Sequence, residues 1–250
     1  MKTDAGFPVQ RELQLTGEGV HLWRVNIPLM TPSVTERSRI LSSEEQKRAS
    51  RFHHAVDRNR FVIVRSLLRQ ILGSYLGKDP LALMFSYSKK EKPFLAGEGV
   101  GDAIGFNVSH SGDIALLAFG RGREIGVDVE QVRPDTDVKA IAERFFSTRE
   151  QGDLAALPDG ERRQAFFRCW TRKESFIKAT GKGLSLPLRN FDVSLQPGDR
   201  DALLATRPDA LERTHWRLQD VTVEQGYAAA LCVSGNNWQL LEKIAQEPMQ

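Results

Sequence analysis

Apolar and polar positions change period along this chain, and the changes mark its elements. Val20 to Ile27 alternates and is rich in β-branched and aromatic residues, so it predicts a first strand, closed by Pro28 and Pro32. Ser42 followed by Glu45 has the spacing of a capping box. From there Phe52, Val56, Ile63, Leu67 and Ile71 recur at helical spacing up to Gly73 and Gly77, which predicts one long helix. Short strands are expected at Leu83 to Ser88, Phe106 to Ser109, Ile114 to Phe119 and Ile125 to Glu130, separated by glycine-rich turns. Two helices follow, at Val138 to Phe145, with a continuation into Thr148 to Leu157, and at Glu161 to Thr180, the latter stopped by Gly181. Strand character returns at Phe191 to Leu195, Trp216 to Val221 and Tyr227 to Val233.

Strand, long helix and strands are thus followed by strand, helices and strands. This order predicts either two α+β halves of similar layout joined near Arg121 to Glu124 or one mixed domain, and no sequence repeat marks a symmetry.

Composition narrows the class. The chain has 250 residues, 40% of them apolar, enough to bury a core, and no run approaches the ~20 apolar residues of a membrane span. Met1 to Gly17 lacks a signal-peptide core, so a cytoplasmic, membrane-independent protein is expected. Cys169 and Cys232 fit neither a disulfide framework nor zinc spacing and read as buried thiols. A net charge of +3 says little, so the placement of charge matters more.

Charge is patterned in three places. On a helical wheel Arg48, Arg51, Arg58, Arg65 and Arg69 fall within roughly a 100° arc, which reads as a solvated stripe. Arg60 falls instead among Ala49, Phe52, Leu67 and Ile71, where a cation needs an anionic partner. A second group, Lys89, Lys90 and Lys92, precedes Pro93 in a loop. The third group is acidic. Asp128 and Glu130 share one side of a strand, and Trp170, Glu174 and Lys178 share one helix face. The bland reading of Glu174 and Lys178 is a surface i,i+4 pair. The alternative is convergence of three carboxylates and a lysine on Mg²⁺ and phosphate. Ser109 and His110 can both donate to a phosphate. Being adjacent on a strand they face opposite ways, which argues against a hydrolytic pair.

Taken together, Phe106 to Gly112 (FNVSHSG), Ile125 to Glu130 (IGVDVE), Arg144 to Ser147 (RFFS) and Trp170 to Leu188 (WTRKESFIKATGKGLSLPL) resemble the 4′-phosphopantetheinyl transferases of the surfactin-synthetase-activating type. The resemblance runs from about Ser42 to Val233. It implies two subdomains with pseudo-twofold symmetry, residues 1–122 and 123–250, the first on the adenine and 3′-phosphate side and the second carrying the acids and the docking surface. It implies Mg²⁺-dependent transfer of phosphopantetheine from coenzyme A to a serine of an apo acyl, peptidyl or aryl carrier protein, releasing 3′,5′-ADP.

By the same resemblance, Asp128, Glu130 and Glu174 hold the metal, while Glu174, Lys178 and Asp128 are catalytic. Arg48, Arg51, Arg60, Lys90, Lys92, Ser109, His110 and Lys178 bind coenzyme A. Where the family has a Gly-Lys-Pro loop, this chain reads Glu91-Lys92-Pro93. Arg144, Arg149, Arg162, Arg163 and Arg168 form the expected carrier-facing surface, and Phe145 and Phe146 either pack against the carrier or belong to the core. A monomer is expected, with no nucleic-acid partner. The rival readings are a non-enzymatic nucleic-acid binder using the arginines, which the clustered acids oppose, and a Mg²⁺-dependent hydrolase of coenzyme A.

Overall fold

The structure is a computed structural model that describes residues 14–88, 92–97 and 103–245. Strand β1 (Gly19–Asn26) leads into the short helices α1 (Ile27–Met30) and α2 (Val34–Ser38), then α3 (Ser43–Ser50) and the long α4 (Ala55–Leu76). A small hairpin, β2 (Phe85–Tyr87) and β3 (Pro93–Leu95), precedes β4 (Ile104–Ser111), β5 (Ile114–Arg121) and β6 (Ile125–Gln131). Three helices follow: α5 (Val138–Phe145), α6 (Thr148–Ala156) and α7 (Asp159–Thr180). The chain ends in β7 (Phe191–Val193), β8 (Leu203–Thr206), β9 (Trp216–Asp220), β10 (Tyr227–Ser234) and β11 (Gln239–Ala245). No helix among the described residues is long and apolar enough to cross a membrane.

The sheets reveal the symmetry that the sequence hides. One has the strand order β11-β1-β5-β4 and the other β6-β10-β9, so β1, β5 and β4 correspond to β6, β10 and β9, with antiparallel pairing in both sets. The hairpins β2-β3 and β7-β8 correspond in the same way. Each half has one helix of 22 residues, ended by a glycine with left-handed backbone, Gly77 (φ 60°) after α4 and Gly181 (φ 64°) after α7. The fold is α+β, with two similar halves.

Period-two alternation in the central strands produces four layers. On β5, Ala115, Leu117 and Phe119 pack with Ile63, Leu67 and Ile71 of α4, while Ile114, Leu116 and Ala118 face the other half. On β10, Ala228, Ala230 and Cys232 join Phe166, Cys169 and Phe176 of α7, while Ala229, Leu231 and Val233 enter the shared middle layer. Both cysteines are buried free thiols, as expected.

β11 breaks the symmetry. It pairs in parallel with β1 along the edge that corresponds, on β6, to the edge facing β4. That edge of β1 therefore has a backbone partner, whereas the corresponding edge of β6 is bridged by side chains from β4.

Three expectations need correcting. The long first helix is two helices. His54 is extended (φ −96°, ψ 136°) between α3 and α4, and the pair folds so that Leu41, Ala49 and Val62 share one small core. The apolar spacing of Phe52 and Val56 runs through this break, so periodicity gave no sign of it; across it Phe52 packs on Phe61, at 5.5 Å between ring centroids. The arginine stripe is solvated only in part, at Arg48, Arg51 and Arg58. Arg65 and Arg69 are buried with their Nε atoms 2.5 and 2.6 Å from the two oxygens of Glu45. Finally, α5 and α6 are separate. Phe146 is extended, and Ser147 with Glu150 forms a second capping box. The capping box expected at Ser42 and Glu45 is present.

Candidate active site

The site begins with a missing side chain. A Cβ on Gly126 would lie 2.0 Å from the carbonyl oxygen of Ser175 and 2.3 Å from the amide of Ala179, so only glycine lets α7 settle directly on β6. Alternation on β6 places Asp128 and Glu130 on the same face as Gly126, beside the stretch of α7 that carries Glu174 and Lys178.

Lys178 does not form the expected pair with Glu174. Its ammonium donates to Asp128 Oδ1 at 2.6 Å, to Ser109 Oγ at 3.1 Å and to the Val127 carbonyl at 3.2 Å. Asp128 is 3% exposed, and its second oxygen, Oδ2, is buried without a hydrogen-bond partner. Glu130 accepts from Ser111 Oγ at 2.9 Å. Burial and then the Asp128 charge push the Glu130 carboxyl above its usual range. Glu174 is raised too, by burial, Asp128 and Glu130, against the pull of Lys178.

Three mutually repelling carboxyls, one with an unsatisfied buried oxygen, are the donor set that suits a hard divalent cation. Among the described residues no three His, Cys, Asp or Glu side chains are grouped as a ready-made metal cage. The three acids are thus not a formed cage, and an ion held by them would take its remaining ligands from water and substrate.

The other expected ligands divide. Ser109 and His110 point to opposite sides of β4, as alternation requires. His110 is exposed at its tip, and its pKa is lowered by partial desolvation and by the charges of Arg60 and Lys178. Arg60 reaches into the same region, donating to Asp57 Oδ1 and to the Gly112 carbonyl, each at 3.0 Å, while its buried Nε has no partner. Arg48, with its guanidinium 5.4 Å from the Phe61 ring centre, and Arg51 lie exposed at the end of α3. Lys90 lies outside the described residues.

Ser109 and Lys92 are engaged by protein groups. The Ser109 hydroxyl donates to Asp128 Oδ1 at 2.9 Å and accepts from the Val129 amide. The Lys92 ammonium donates to the carbonyls of Ile125 (3.0 Å) and Lys178 (2.7 Å), tying the first half to β6 and to α7. Burial lowers its pKa to about 8, against the opposing pull of Glu124 and Cys232.

The expected carrier-facing residues are largely engaged. Phe146 is 0% exposed and stacks on Phe166, a core role set by its place at the α5–α6 break; Phe145 is half-buried against Trp170. Arg162 pairs with Asp159, Arg163 donates to the Arg133 and Thr136 carbonyls, and Arg168 donates to the Leu195 carbonyl. Arg149 lies 3.8 Å from Asp153, and Arg144 lies over Phe145.

Sequence reasoning passed over Gly126, Asn107 and Ser111. The available signal was the alternation of small polar side chains at Asn107, Ser109 and Ser111 along one face of the strand.

Comparison with known proteins supplies the family. The profile of the "4′-phosphopantetheinyl transferase superfamily" matches residues 124–232, and that of "4′-phosphopantetheinyl transferase, N-terminal" matches residues 30–121. The chain is 38% identical over 232 residues to the 4′-phosphopantetheinyl transferase HetI of Nostoc sp., covering 93% of this chain and 94% of that one. It is 34% identical over 194 residues to the 4′-phosphopantetheinyl transferase Sfp of Bacillus subtilis, covering 78% and 82%. Among solved structures, the Thermotoga maritima holo-[acyl-carrier-protein] synthase aligns with 44% of this chain and 62% of its own, at 21% identity and a TM-score of 0.35. With both profiles and near-full-length relatives matched, the chain belongs to the 4′-phosphopantetheinyl transferase superfamily and is a phosphopantetheinyl transferase.

Proposed function

We propose that this enzyme transfers 4′-phosphopantetheine from coenzyme A to a serine of an apo carrier protein in a Mg²⁺-dependent reaction, giving holo carrier protein and adenosine 3′,5′-bisphosphate. The observation that carries the reading is the state of the acids. Asp128 is fixed through one oxygen while the other is left bare, between two glutamates whose carboxyls resist ionisation. Asp128, Glu130 and Glu174 would hold the ion, which when bound neutralises charge on the pyrophosphate and on the departing nucleotide.

The chain's own groups do the rest. The carrier serine oxygen forms a bond to the phosphorus that bears the pantetheine arm as the phosphoanhydride bond to 3′,5′-ADP breaks. The serine proton passes to Glu174, which α7 sets beside the β6 acids. All three donors of Lys178 are engaged, so it acts as a fixed positive field on the developing phosphoryl charge. Coenzyme A carries roughly four negative charges given second phosphate pKa values near 6. Arg48, Arg51, Arg60 and His110 are the groups from the first half that face it. The acceptor, whether an acyl, peptidyl or aryl carrier, is selected by surface complementarity. The enzyme works as a cytoplasmic monomer that needs neither nucleic acid nor membrane.

The test is incubation with coenzyme A, Mg²⁺ and a panel of apo carriers, read by intact-protein mass. One phosphopantetheine added to the carrier, lost in Asp128→Ala, is the expected result. Cleavage of coenzyme A without a carrier makes the protein a hydrolase and overturns the reading.

A further inference from the structure

β4 and β6 belong to different sheets, yet they lie side by side, joined by a row of side chains instead of a backbone ladder. Asn107 Oδ1 accepts from the Val127 amide at 2.9 Å, Ser109 Oγ from Val129 at 3.3 Å and Ser111 Oγ from Gln131 at 3.1 Å. The spacing i, i+2, i+4 on one strand meets the same spacing on the other, so the amides of Val127, Val129 and Gln131 on the open edge of β6 are satisfied from the first half of the chain.

A hydroxyl that accepts from an amide still has its proton to give. Ser109 gives it to Asp128 Oδ1 and Ser111 gives it to Glu130 Oε2, both at 2.9 Å. Each serine therefore fixes the backbone of β6 and the carboxylate beside it at once. The carboxylates belong to the second half and the hydroxyls to the first, so the seating of the acids depends on closure of the seam.

We propose that Ser111, alongside Ser109, is a positioning residue that orients the metal-binding acids from across the boundary between the halves. The inference rests on the metal role given above to Asp128 and Glu130. Removing the Ser111 hydroxyl frees Glu130 to turn and leaves the Gln131 amide without its acceptor, while the arginines and His110 keep their places. The effect falls on the metal and not on coenzyme A.

The experiment compares wild type, Ser111→Ala and Ser111→Thr, full-length, in the presence of coenzyme A. Mn²⁺ binding is followed by electron paramagnetic resonance, the KM for coenzyme A at saturating Mg²⁺ by carrier mass, and folding by thermal melts. In Ser111→Ala the half-saturating Mn²⁺ concentration rises about tenfold, as loss of a group that orients a metal ligand does. Its KM for coenzyme A stays within about twofold, an interaction not shared with the substrate having been removed. Ser111→Thr keeps the hydroxyl and restores metal affinity. Unchanged half-saturation in Ser111→Ala, or an equal loss in Ser111→Thr, overturns the inference while leaving the transferase reading intact. A wild type that binds no Mn²⁺ and modifies no carrier overturns both.

Discussion

The Lys178 ammonium lies 2.6 Å from Asp128 Oδ1, while Glu174, one helical turn earlier on α7, has no ion-pair partner among the described residues. One cation thus serves one of three clustered acids, and the folded chain holds the other two above their ordinary pKa. A carboxyl raised in this way binds its proton more tightly folded than unfolded. The fold therefore loses stability as pH rises from the ordinary glutamate range through the raised value. Glu174→Gln should abolish transfer yet raise the melting temperature by about 2 °C or more at pH 7.5, with the gain vanishing near pH 4. Calorimetry at the two pH values decides it. A melting temperature that falls in the variant at pH 7.5 means the acids do not repel.

The contact between Gly126 and α7 makes a sharper prediction. The atoms that a new Cβ would strike, Ser175 O and Ala179 N, are backbone, so no side-chain rotation relieves the clash and α7 must move. Overpacking of this kind costs about 1–3 kcal/mol or more. Gly126→Ala should lower the melting temperature by several degrees, at about 2–4 °C per kcal/mol in a chain of this size. It should reduce transfer far beyond the loss of folded protein, because α7 carries Glu174 and Lys178. Activity normalised to folded fraction, measured beside circular dichroism melts, tests it.

What the sequence displayed follows from these particulars. The acids were legible because alternation on a strand and i,i+4 spacing on a helix are local facts, and α7 with its Gly181 stop was legible for the same reason. The kink at His54 was not, because Phe52 and Val56 keep an i, i+4 spacing across it without a glycine or proline, although Val56 proves exposed. Arg65 and Arg69 looked solvated because their partner, Glu45, sits on another helix some twenty residues away. Strands β3, β8 and β11 passed unseen: β3 and β8 are too short to show a period, and the parallel pairing of β11 with β1 is wholly non-local. The roles of Ser109 and Lys92 depend on which half of the chain each faces, and spacing carries nothing about that.

Glu45 supplies a prediction about stability alone. Burial pushes its carboxyl up, but hydrogen bonds and charge from Arg69 and Arg65, with the Ser42 backbone, outweigh that and hold it below the usual range. Arg65 also lies 3.9 Å from the centre of the Phe85 ring, and Arg69 donates to the Pro80 and Leu83 carbonyls, so neither guanidinium is free to swing into water. Glu45→Ala leaves two buried cations without their anion and should cost about 3–5 kcal/mol, a fall in melting temperature on the order of 10 °C. A carboxyl with a depressed pKa contributes stability above its unfolded pKa and loses it as pH falls through the folded value. The gap between wild type and Glu45→Gln should therefore close in acid. Denaturant titration at pH 7 and pH 3 measures both, and a gap that stays constant removes the charge from the account.

Lys92 separates positioning from binding. Its ammonium spans from the first half to the carbonyl of Ile125, at the start of the strand that carries Asp128 and Glu130, and to that of Lys178 on the helix that carries Glu174. Were it a phosphate ligand, Lys92→Met would raise the KM for coenzyme A and leave kcat nearly unchanged. As a strap between the two elements that form the site, it should instead lower kcat about tenfold or more with KM changed by less than about threefold. The melting temperature should fall too, since two buried carbonyls lose a charged donor at about 1.5–3 kcal/mol each. Its pKa near 8 means that the fold charges a desolvation cost for the ammonium, a cost relieved as pH climbs from about 8 toward the ordinary lysine value of 10.5. Wild type should accordingly gain stability on Lys92→Met across that interval. Steady-state kinetics with coenzyme A as the varied substrate, and melts at pH 7.5 and pH 10, distinguish the two roles. A raised KM with unchanged kcat would return Lys92 to the coenzyme A site.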